Sequence, residues 1–349
     1  MKAYLTLENG ITFQGEFFGK PGEVTGEVVF TTSMTGYIEA VTDPSYYGQI
    51  ILQTFPLAGN YGVISEDFQS SKAHAVAYIA KYPCQDPSNF RCEGETLDAF
   101  FMSRGLVGIK GIDTRQLAKI LRDNGTLKAK ITAHPPSQKD EDEIGRYEIS
   151  NAIAAVSTQV KKIYGTGSKI VALLDLGVTR GAINALVERE CCVHVLPHNS
   201  TAEDVLANGA QGVFISSGPG NPLDTANVEI INVIRSLMGG TVPVFGIGMG
   251  HLLMAAAQGL QLTKLLHGHR GSNQPVKDTR TGKAYITSQN HSYVVAGATS
   301  SYINVNDGTC EGMDYGRSFS VAFNPSDGPR DTRFLFDQFV ERMNTNAVR

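Results

Sequence analysis

Residues 243–260 have the sequence PVFGIGMGHLLMAAAQGL, and this stretch decides how the second half of the chain folds. A short apolar run leads into glycine at every second position, and then into a run of leucine and alanine that ends at Gly259. The pattern predicts a buried strand, a sharp turn and a helix. Elbows of this kind present one residue at the carboxyl edge of a parallel sheet, where many hydrolases hold a nucleophile. The residue at the apex is Gly248, which has no side chain to react.

The composition is that of a soluble globular protein. The chain has 349 residues, 42% of them hydrophobic and 18% charged, and a length of this kind predicts two domains. A net charge of -4 gives no indication of nucleic-acid binding. The sequence has no apolar run of membrane-spanning length and no apolar signal core near Met1, so we expect a cytoplasmic protein that does not bind membranes.

Five cysteines are present, and their spacing predicts reduced thiols. The number is odd and no C-x-x-C pair occurs, which argues against a disulfide framework and against a zinc site built from cysteines. Two adjacent cysteines begin a predicted interior strand, where structural thiols are expected rather than nucleophiles. The five residues are Cys84, Cys92, Cys191, Cys192 and Cys310.

The second half of the chain alternates predicted strands and helices. Apolar strands are predicted at 169–175, 192–197 and 212–217, with helices between them, which indicates an open sheet covered by helices on both sides. Ligands of such sheets bind at the carboxyl ends of the strands. The turn Gly218-Pro219-Gly220 and the elbow at Gly248 both fall there.

The first half predicts a different, β-rich domain. Two alternating runs around Asn9-Gly10 predict a hairpin, strands are predicted at 24–32 and 49–54, and helices are predicted at 97–103 and 114–122. A proline-plus-charge segment at 135–143 has no apolar face, so 134–168 is predicted to be a connecting region with a short helix around 151–156. The predicted domains are therefore 1–133 and 169–349, separated by that region.

Two groups of motifs resemble known families. The elbow resembles the nucleophile elbow of class I glutamine amidotransferases, whose pattern carries cysteine where this chain has Gly248. Three segments of the first half, at 33–46, 56–62 and 111–115, resemble the N-terminal domain of the small subunit of carbamoyl-phosphate synthetase, and the resemblance extends along the whole chain. It implies an α/β protein in which an N-terminal α/β small-subunit domain precedes a class I amidotransferase domain with a mostly parallel, doubly wound open sheet.

The resemblance also implies that the catalytic triad is lost. Glutamine hydrolysis through a thioester needs a thiolate, an imidazole base and a carboxylate that orients the imidazole. After the strand predicted at 319–323, Asn324 stands where the family has histidine. The family's glutamate is replaced by Ser326 or deleted, because the segment is about two residues shorter than the family pattern. An amide is not a base at neutral pH. With Gly248 also changed, we expect an inactive glutaminase rather than a single engineered knockout.

Eight residues match positions of the family's glutamine pocket. Leu252 replaces a glutamine that helps to hold substrate, and the apolar Met249 stands in for the usual leucine. The turn containing Gly218 and Gly220 resembles one whose backbone amides can hold an oxyanion, although an isolated Gly-Pro-Gly is usually only a tight connection. The pocket-like residues are Ser33, Gly218, Gly220, Met249, Leu252, Asn290, Ser292 and Tyr293.

Four histidines could also carry chemistry. His267 and His269 suggest a metal pair, but no acidic or thiol partner accompanies them in the sequence and the matching family segment is a loop, so no metal site is expected. His251, at the start of the elbow helix, is expected to be structural or hydrogen-bonded to the turn. His291 is the best surviving acid-base candidate, although it is not the family's principal base.

The resemblance implies a specific partner. A small subunit of this family supports a large, ATP-using subunit of carbamoyl-phosphate synthetase, so ATP and magnesium are expected on that subunit and no cofactor on this chain. The product would serve arginine or pyrimidine biosynthesis. The alternative is a free-standing regulatory or binding protein that recognises a small ligand in the old glutamine pocket. A third hypothesis is an active hydrolase with relocated chemistry. The N-terminal segments favour the first, because in the family that domain contributes to the subunit interface.

Overall fold

The computed structural model describes residues 1–88 and 94–346 and divides the chain into two compact units, 1–149 and 150–349. Cys92 lies outside the described residues, and the other four cysteines are free thiols. Within the described part of the chain, no helix is long and apolar enough to cross a membrane.

The first unit is built on a closed barrel of seven strands. The strands of this unit are β1 (Lys2–Leu7), β2 (Thr12–Gly19), β3 (Val24–Thr31), β4 (Gln49–Gln53), β5 (Leu57–Ala58), β6 (Ala77–Ala80), β7 (Tyr82–Pro83), β8 (Val107–Lys110) and β9 (Leu127–Thr132). Its helices are α1 (Tyr37–Thr42), α2 (Leu97–Arg104), α3 (Thr114–Asn124) and α4 (Gln138–Arg146). The barrel order is β1-β2-β8-β6-β4-β3-β9, and β9 closes it by pairing with β1. The short strands β5 and β7 pair separately.

Alternation along the barrel strands gives this unit two cores. On β4, Ile50 and Leu52 pack with Leu117 of α3, whereas Ile51 belongs to the cluster that contains Phe101 of α2. Successive side chains of a strand point to opposite faces, so one strand serves both cores. The predicted hairpin is confirmed, with Leu5 opposite Phe13 and a turn at 8–11.

The segment after the barrel differs from its prediction. No apolar face was expected at 135–143, but α4 covers most of this segment and buries Ile144. The helix forms because Asp140 accepts hydrogen bonds from the amide and the hydroxyl of Ser137, at 2.9 and 2.6 Å, which completes a capping box. The predicted short helix around 151–156 is confirmed as Ala152–Val156.

The second unit contains one ten-stranded sheet. Its strands are β10 (Lys162–Tyr164), β11 (Lys169–Asp175), β12 (Cys191–Pro197), β13 (Gly212–Ile215), β14 (Val244–Ile247), β15 (Leu262–Asp278), β16 (Ala284–Val295), β17 (Tyr302–Asn304), β18 (Cys310–Tyr315) and β19 (Ser318–Val321). Its helices are α5 (Ala152–Val156), α6 (Arg180–Val187), α7 (Ala202–Leu206), α8 (Val228–Gly239), α9 (Met249–Ala257) and α10 (Phe334–Asn346). The strand order is β10-β12-β11-β13-β14-β19-β18-β17-β15-β16.

Five neighbouring strands of this sheet, from β12 to β19, run parallel, as the alternating pattern predicts. Phe336 of α10 packs against Phe214 and Phe245 on one face, while α8 and α9 pack on the other. The strands from β18 to β16 are antiparallel and extend the sheet. They correct the predicted loop at 267–269, which instead lies inside β15 at an irregularity in its pairing with β16.

Candidate functional site

The predicted elbow is present, and Gly248 is its apex. Gly248 joins β14 to α9 with φ 53° and ψ -113°, the positive φ that a strained nucleophile turn requires. Its amide donates to the carbonyl oxygen of Val321 at 2.9 Å, and the amide of Gly250 donates to that of Ser216 at 3.0 Å. Backbone hydrogen bonds thus connect the elbow to the carboxyl ends of β13 and β19, the two strands that flank β14.

Close packing explains the glycine beside the apex. A Cβ on Gly250 would lie 2.4 Å from the carbonyl oxygen of Ile215, so the helix can approach the neighbouring strand only without a side chain there. At Gly248 the crowding is milder, because a Cβ would meet the Cβ of Ser217 at 3.0 Å. The backbone angle, more than the available space, therefore favours glycine at the apex.

Gly248→Ala is expected to lower the free energy of unfolding by roughly 1 to 3 kcal/mol, the usual cost of a strained backbone angle in a residue with a Cβ. Chemical denaturation monitored by circular dichroism measures it. Gly259→Ala is the control for crowding, since Gly259 also has positive φ (76°) but no atom within 4 Å of the added Cβ. A similar loss in that variant would attribute the cost to the backbone angle, as expected here. A Gly248→Ala variant no less stable than wild type would contradict this account of the apex.

Asn324 and its neighbours form a compact polar group after β19. The amide nitrogen of Asn324 donates to Oδ2 of Asp327 at 2.5 Å, and its Oδ1 accepts from the hydroxyl of Ser326 at 2.7 Å. Because Ile247 pairs with Val321, this group and the elbow follow neighbouring parallel strands at the same edge of the sheet. Asp327 was not predicted as a site residue, because it does not lie at the spacing of the family's glutamate.

Comparisons with known proteins match both units. A model described as carbamoyl-phosphate synthase small chain, CPSase domain, matches residues 5–131, and one described as glutamine amidotransferase class-I matches residues 172–342. The carbamoyl phosphate synthase small chain of Clostridium perfringens is 44% identical over 98% of this chain and 99% of its own length. The chain belongs to the carbamoyl phosphate synthase small chain family. This confirms the resemblance and the fold class drawn from the sequence.

Two further relatives in this family are similar over nearly their whole length. The small chain of Bacillus caldolyticus is 44% identical over 97% of this chain and 96% of its own length. The pyrimidine-specific small chain of Bacillus subtilis is 41% identical over 99% of this chain and 97% of its own length.

Two of the eight pocket-like residues, Gly218 and Gly220, lie in the glycine turn at the carboxyl edge of the sheet. The Gly218 turn follows β13 at the carboxyl edge, and a Cβ on Gly218 would lie 2.1 Å from the carbonyl oxygen of Leu176. Gly220, in the same turn, has φ 93°. Beside the apex, the buried hydroxyl of Ser217 has no hydrogen-bond partner among the described residues. The carboxyl edge of this small chain therefore combines a tight glycine turn with an unsatisfied polar atom.

Two of the pocket-like residues, Met249 and Leu252, lie on α9 and are buried within the protein. Met249 and Leu252 on α9 are 4% and 3% exposed, and Leu252 packs in an apolar cluster with Val295 and Met313. Tyr293 packs against the same cluster. Neither helix side chain is therefore open to a ligand in this structure, so the replacement of the family's glutamine by Leu252 contributes to packing.

The remaining pocket-like residues lie on β16 and in the first unit. Ser292 accepts a hydrogen bond from Arg270 at 2.5 Å, and Asn290 is the register partner of Arg270 in the pairing of β16 with β15. Ser33 follows β3 in the first unit, and its carbonyl oxygen accepts from the Gln53 side chain at 2.5 Å. The glutamine-pocket assignment of all eight residues stays a prediction.

His251 fits one of its two expected roles, whereas His269 differs from its sequence-based interpretation. His251 is fully buried, as expected of a structural residue, and its Nδ1 lies 2.8 Å from the hydroxyl of Ser320 on β19 and not at the turn. Burial lowers the pKa of His251 to about 3, which keeps the ring neutral. His269 does have acidic partners, because its two ring nitrogens lie 3.1 Å from Glu311 and 2.8 Å from Asp307. Both carboxylates come from distant segments, so the sequence around His269 did not predict them.

The cysteine prediction agrees with the structure. Cys191 is buried at the start of β12, which is paired on both sides, and burial raises the pKa of its thiol to about 11. A thiol of this kind is a poor nucleophile at neutral pH.

Proposed function

We propose that this chain is a small subunit whose glutaminase site is inactive and that it supports ammonia-dependent synthesis of carbamoyl phosphate by a large, ATP-using subunit. The observation that carries the proposal is the apex of the elbow. The backbone has the conformation of a nucleophile turn, but Gly248 supplies no thiol. Without a nucleophile no thioester can form, whatever the rest of the site retains.

The group after β19 supports the same conclusion. Asn324, at the position of the base, has an amide whose nitrogen and oxygen are already bonded to Asp327 and Ser326. An amide neither accepts nor releases a proton at neutral pH, so it cannot activate a nucleophile. Two independent requirements of glutamine hydrolysis are therefore absent from this site.

The partner and the location follow from family membership. Similarity over both domains of the small chain supports a large-subunit partner that carries ATP and magnesium. This chain would then contribute its N-terminal domain to the subunit interface, with domains at 1–133 and 169–349, in the cytoplasm.

One observation favours the alternative of a ligand-binding pseudo-amidotransferase. The hydroxyl of Ser217 is buried, is unsatisfied among the described residues, and belongs to the residue nearest the vacant apex. A buried polar atom without a partner costs about 1 to 3 kcal/mol, which a bound polar ligand would recover.

The proposal predicts which nitrogen donor the complex uses. Co-expressed with the large subunit of its own genome, the chain should co-elute in gel filtration, and the complex should make carbamoyl phosphate from bicarbonate, ATP and ammonium. With glutamine in place of ammonium, the rate should stay at the level without any nitrogen donor. The large subunit alone, assayed with ammonium, is the control for what this chain contributes.

Two outcomes would contradict the proposal in different ways. Glutamine serving as well as ammonium would show a working glutaminase site. Failure of the two chains to form a complex, with the large subunit folded and active, would favour the free-standing binding protein.

A further inference from the structure

Three side chains with metal-ligating atoms meet in the buried, antiparallel part of the second unit's sheet. His269 on β15, His291 on β16 and Glu311 on β18 are 7%, 6% and 0% exposed. Nδ1 of His269 lies 3.1 Å from Oε1 of Glu311, and Nε2 of His291 lies 3.7 Å from Oε2. One atom from each residue falls within 4.8 Å of the others.

The outer nitrogen of each ring is held by an acceptor. Nε2 of His269 lies 2.8 Å from Oδ2 of Asp307, and Nδ1 of His291 lies 3.0 Å from the carbonyl oxygen of Tyr293. Metal-binding histidines almost always donate their second N–H to a carboxylate or a backbone carbonyl. Both rings therefore have the outer contacts of metal ligands, and each outer N–H directs the lone pair of a neutral ring inward.

The inner nitrogens face oxygen acceptors, and the inner nitrogen of His269 also faces one amide donor. Nε2 of His291 lies 3.1 Å from Oε1 of Gln289, whose own nitrogen donates to Glu311 at 3.0 Å. Nδ1 of His269 lies 3.1 Å from Oε1 of Glu311 and 3.4 Å from Nδ2 of Asn304, which also donates to that carboxylate at 3.2 Å. A lone pair on His291 opposite the Gln289 oxygen is repulsive, and a shared cation would remove this repulsion.

The charges in the cluster match one divalent ion. The ring centres of His269 and His291 lie 5.1 Å apart in a buried environment. The carboxylates of Glu311 and Asp307 bring two negative charges to the same cluster, which a single divalent cation would neutralise. The fit of charge adds to the fit of geometry.

We propose that His269, His291 and Glu311 bind one Zn²⁺ ion, with Oε1 of Gln289 as the fourth ligand. Zinc favours tetrahedral sites of histidine and carboxylate, with bonds of about 2.0 to 2.2 Å, so its ligand atoms lie roughly 3.3 Å apart. The separations of 3.1 Å from His269 to Oε1 of Glu311 and of 3.7 Å from His291 to Oε2 lie on either side of that value. Two imidazoles favour zinc over magnesium or calcium, which select oxygen ligands. The buried ion would join β15, β16 and β18.

The test measures metal content on the full chain, purified without a histidine tag after expression with added zinc. We expect close to one zinc per chain by elemental analysis. After removal of the metal by a chelator, one equivalent of Co²⁺ should restore a visible spectrum of tetrahedral type. His269→Gln and His291→Gln should abolish both signals. His267→Gln, two residues away on the same strand, should retain them.

Two further measurements test the site without removing a ligand residue. Asp307→Asn keeps the shape of the side chain that holds His269 and should weaken zinc binding by about 10- to 100-fold without removing a ligand. If the ligand variants fail to fold, chelation of the wild-type chain should still lower its melting temperature, and zinc should restore it. Wild type with substoichiometric zinc, no cobalt spectrum and no response to chelation would overturn the proposal. That result would leave the proposed function untouched.

Discussion

Gly248→Cys together with Asn324→His is expected to create glutaminase activity that the wild-type chain lacks. The elbow already has the backbone angles of a nucleophile turn, so the new thiol would stand where a thioester forms. A histidine in place of Asn324 would lie beside Asp327, whose Oδ2 is now 2.5 Å from the amide nitrogen. The carboxylate that orients the base is therefore present, although it is not at the family's position.

Either single variant should remain at the wild-type level. A thiol without a base is mostly protonated at neutral pH, and a base without a thiol has no nucleophile to activate. Positioned general bases contribute about 10² to 10⁴ in rate, so the double variant should exceed Gly248→Cys at least 100-fold. The measurement is glutamate release under saturating glutamine, with intact-mass detection of the γ-glutamyl thioester.

The triple variant that adds Ser326→Glu tests the role of Asp327. If Asp327 orients the base, the third change should alter the rate by less than about tenfold, and Asp327→Asn in the double variant should remove most of the gain. If Gly248→Cys alone were as fast as the double variant, another base such as His291 would be operating, and this account of the site would be wrong.

Local patterns explain why the elbow could be predicted from the sequence. The strand, the turn and the helix are encoded in 18 consecutive residues, and the need for glycine at positive φ is a property of one residue. The sheet and the hairpin at Asn9-Gly10 were predicted for the same reason. Each depends on residues that are close in the chain.

The groups that were missed depend on contacts between distant segments. Glu311 meets His269 only because β15 and β18 are both neighbours of β17, and 41 residues separate the two in the sequence. Asp327 contacts the side chain of Asn324 through the bend of a short loop, which sequence spacing alone does not describe. Helix α4 was not predicted because Ile144, its buried apolar residue, follows a run of charged residues that shows no apolar pattern.

The same helix contains the largest stability effect that we expect. Nζ of Lys130 on β9 is bonded to Asp140 at 2.7 Å and to Glu143 at 2.6 Å. Lys130 and Asp140 are 4% and 2% exposed, whereas the Glu143 side chain is 40% exposed. A buried ion pair contributes little relative to an apolar pair, but removing one partner leaves a buried charge that costs about 3 to 5 kcal/mol.

Asp140→Asn is therefore expected to lower the free energy of unfolding by about 3 kcal/mol. This value is at the lower end of that range because Glu143 remains near Lys130. Asparagine keeps the shape of the helix cap, so the loss reports on charge. Glu143→Gln is the matched control, since it removes the negative charge of a more exposed partner of the same Nζ and should cost less than about 1 kcal/mol. Adding Lys130→Met to Asp140→Asn should recover most of the loss. Urea unfolding of the full chain measures the wild type and the three variants.

The pH dependence separates charge from shape. Burial alone would raise the pKa of Asp140, but hydrogen bonds from Lys130 and Ser137 hold it well below its ordinary value of 3.8. Because the folded-state pKa is depressed, the stabilisation is fully present above the unfolded pKa and is lost as the pH falls below 4 toward the folded pKa. The stability difference between wild type and Asp140→Asn should therefore be constant from pH 8 to about pH 5 and shrink in more acidic buffer. A difference that stays the same down to pH 3 would show that the carboxylate acts through packing, and that the ion pair contributes nothing to the stability of α4 on β9.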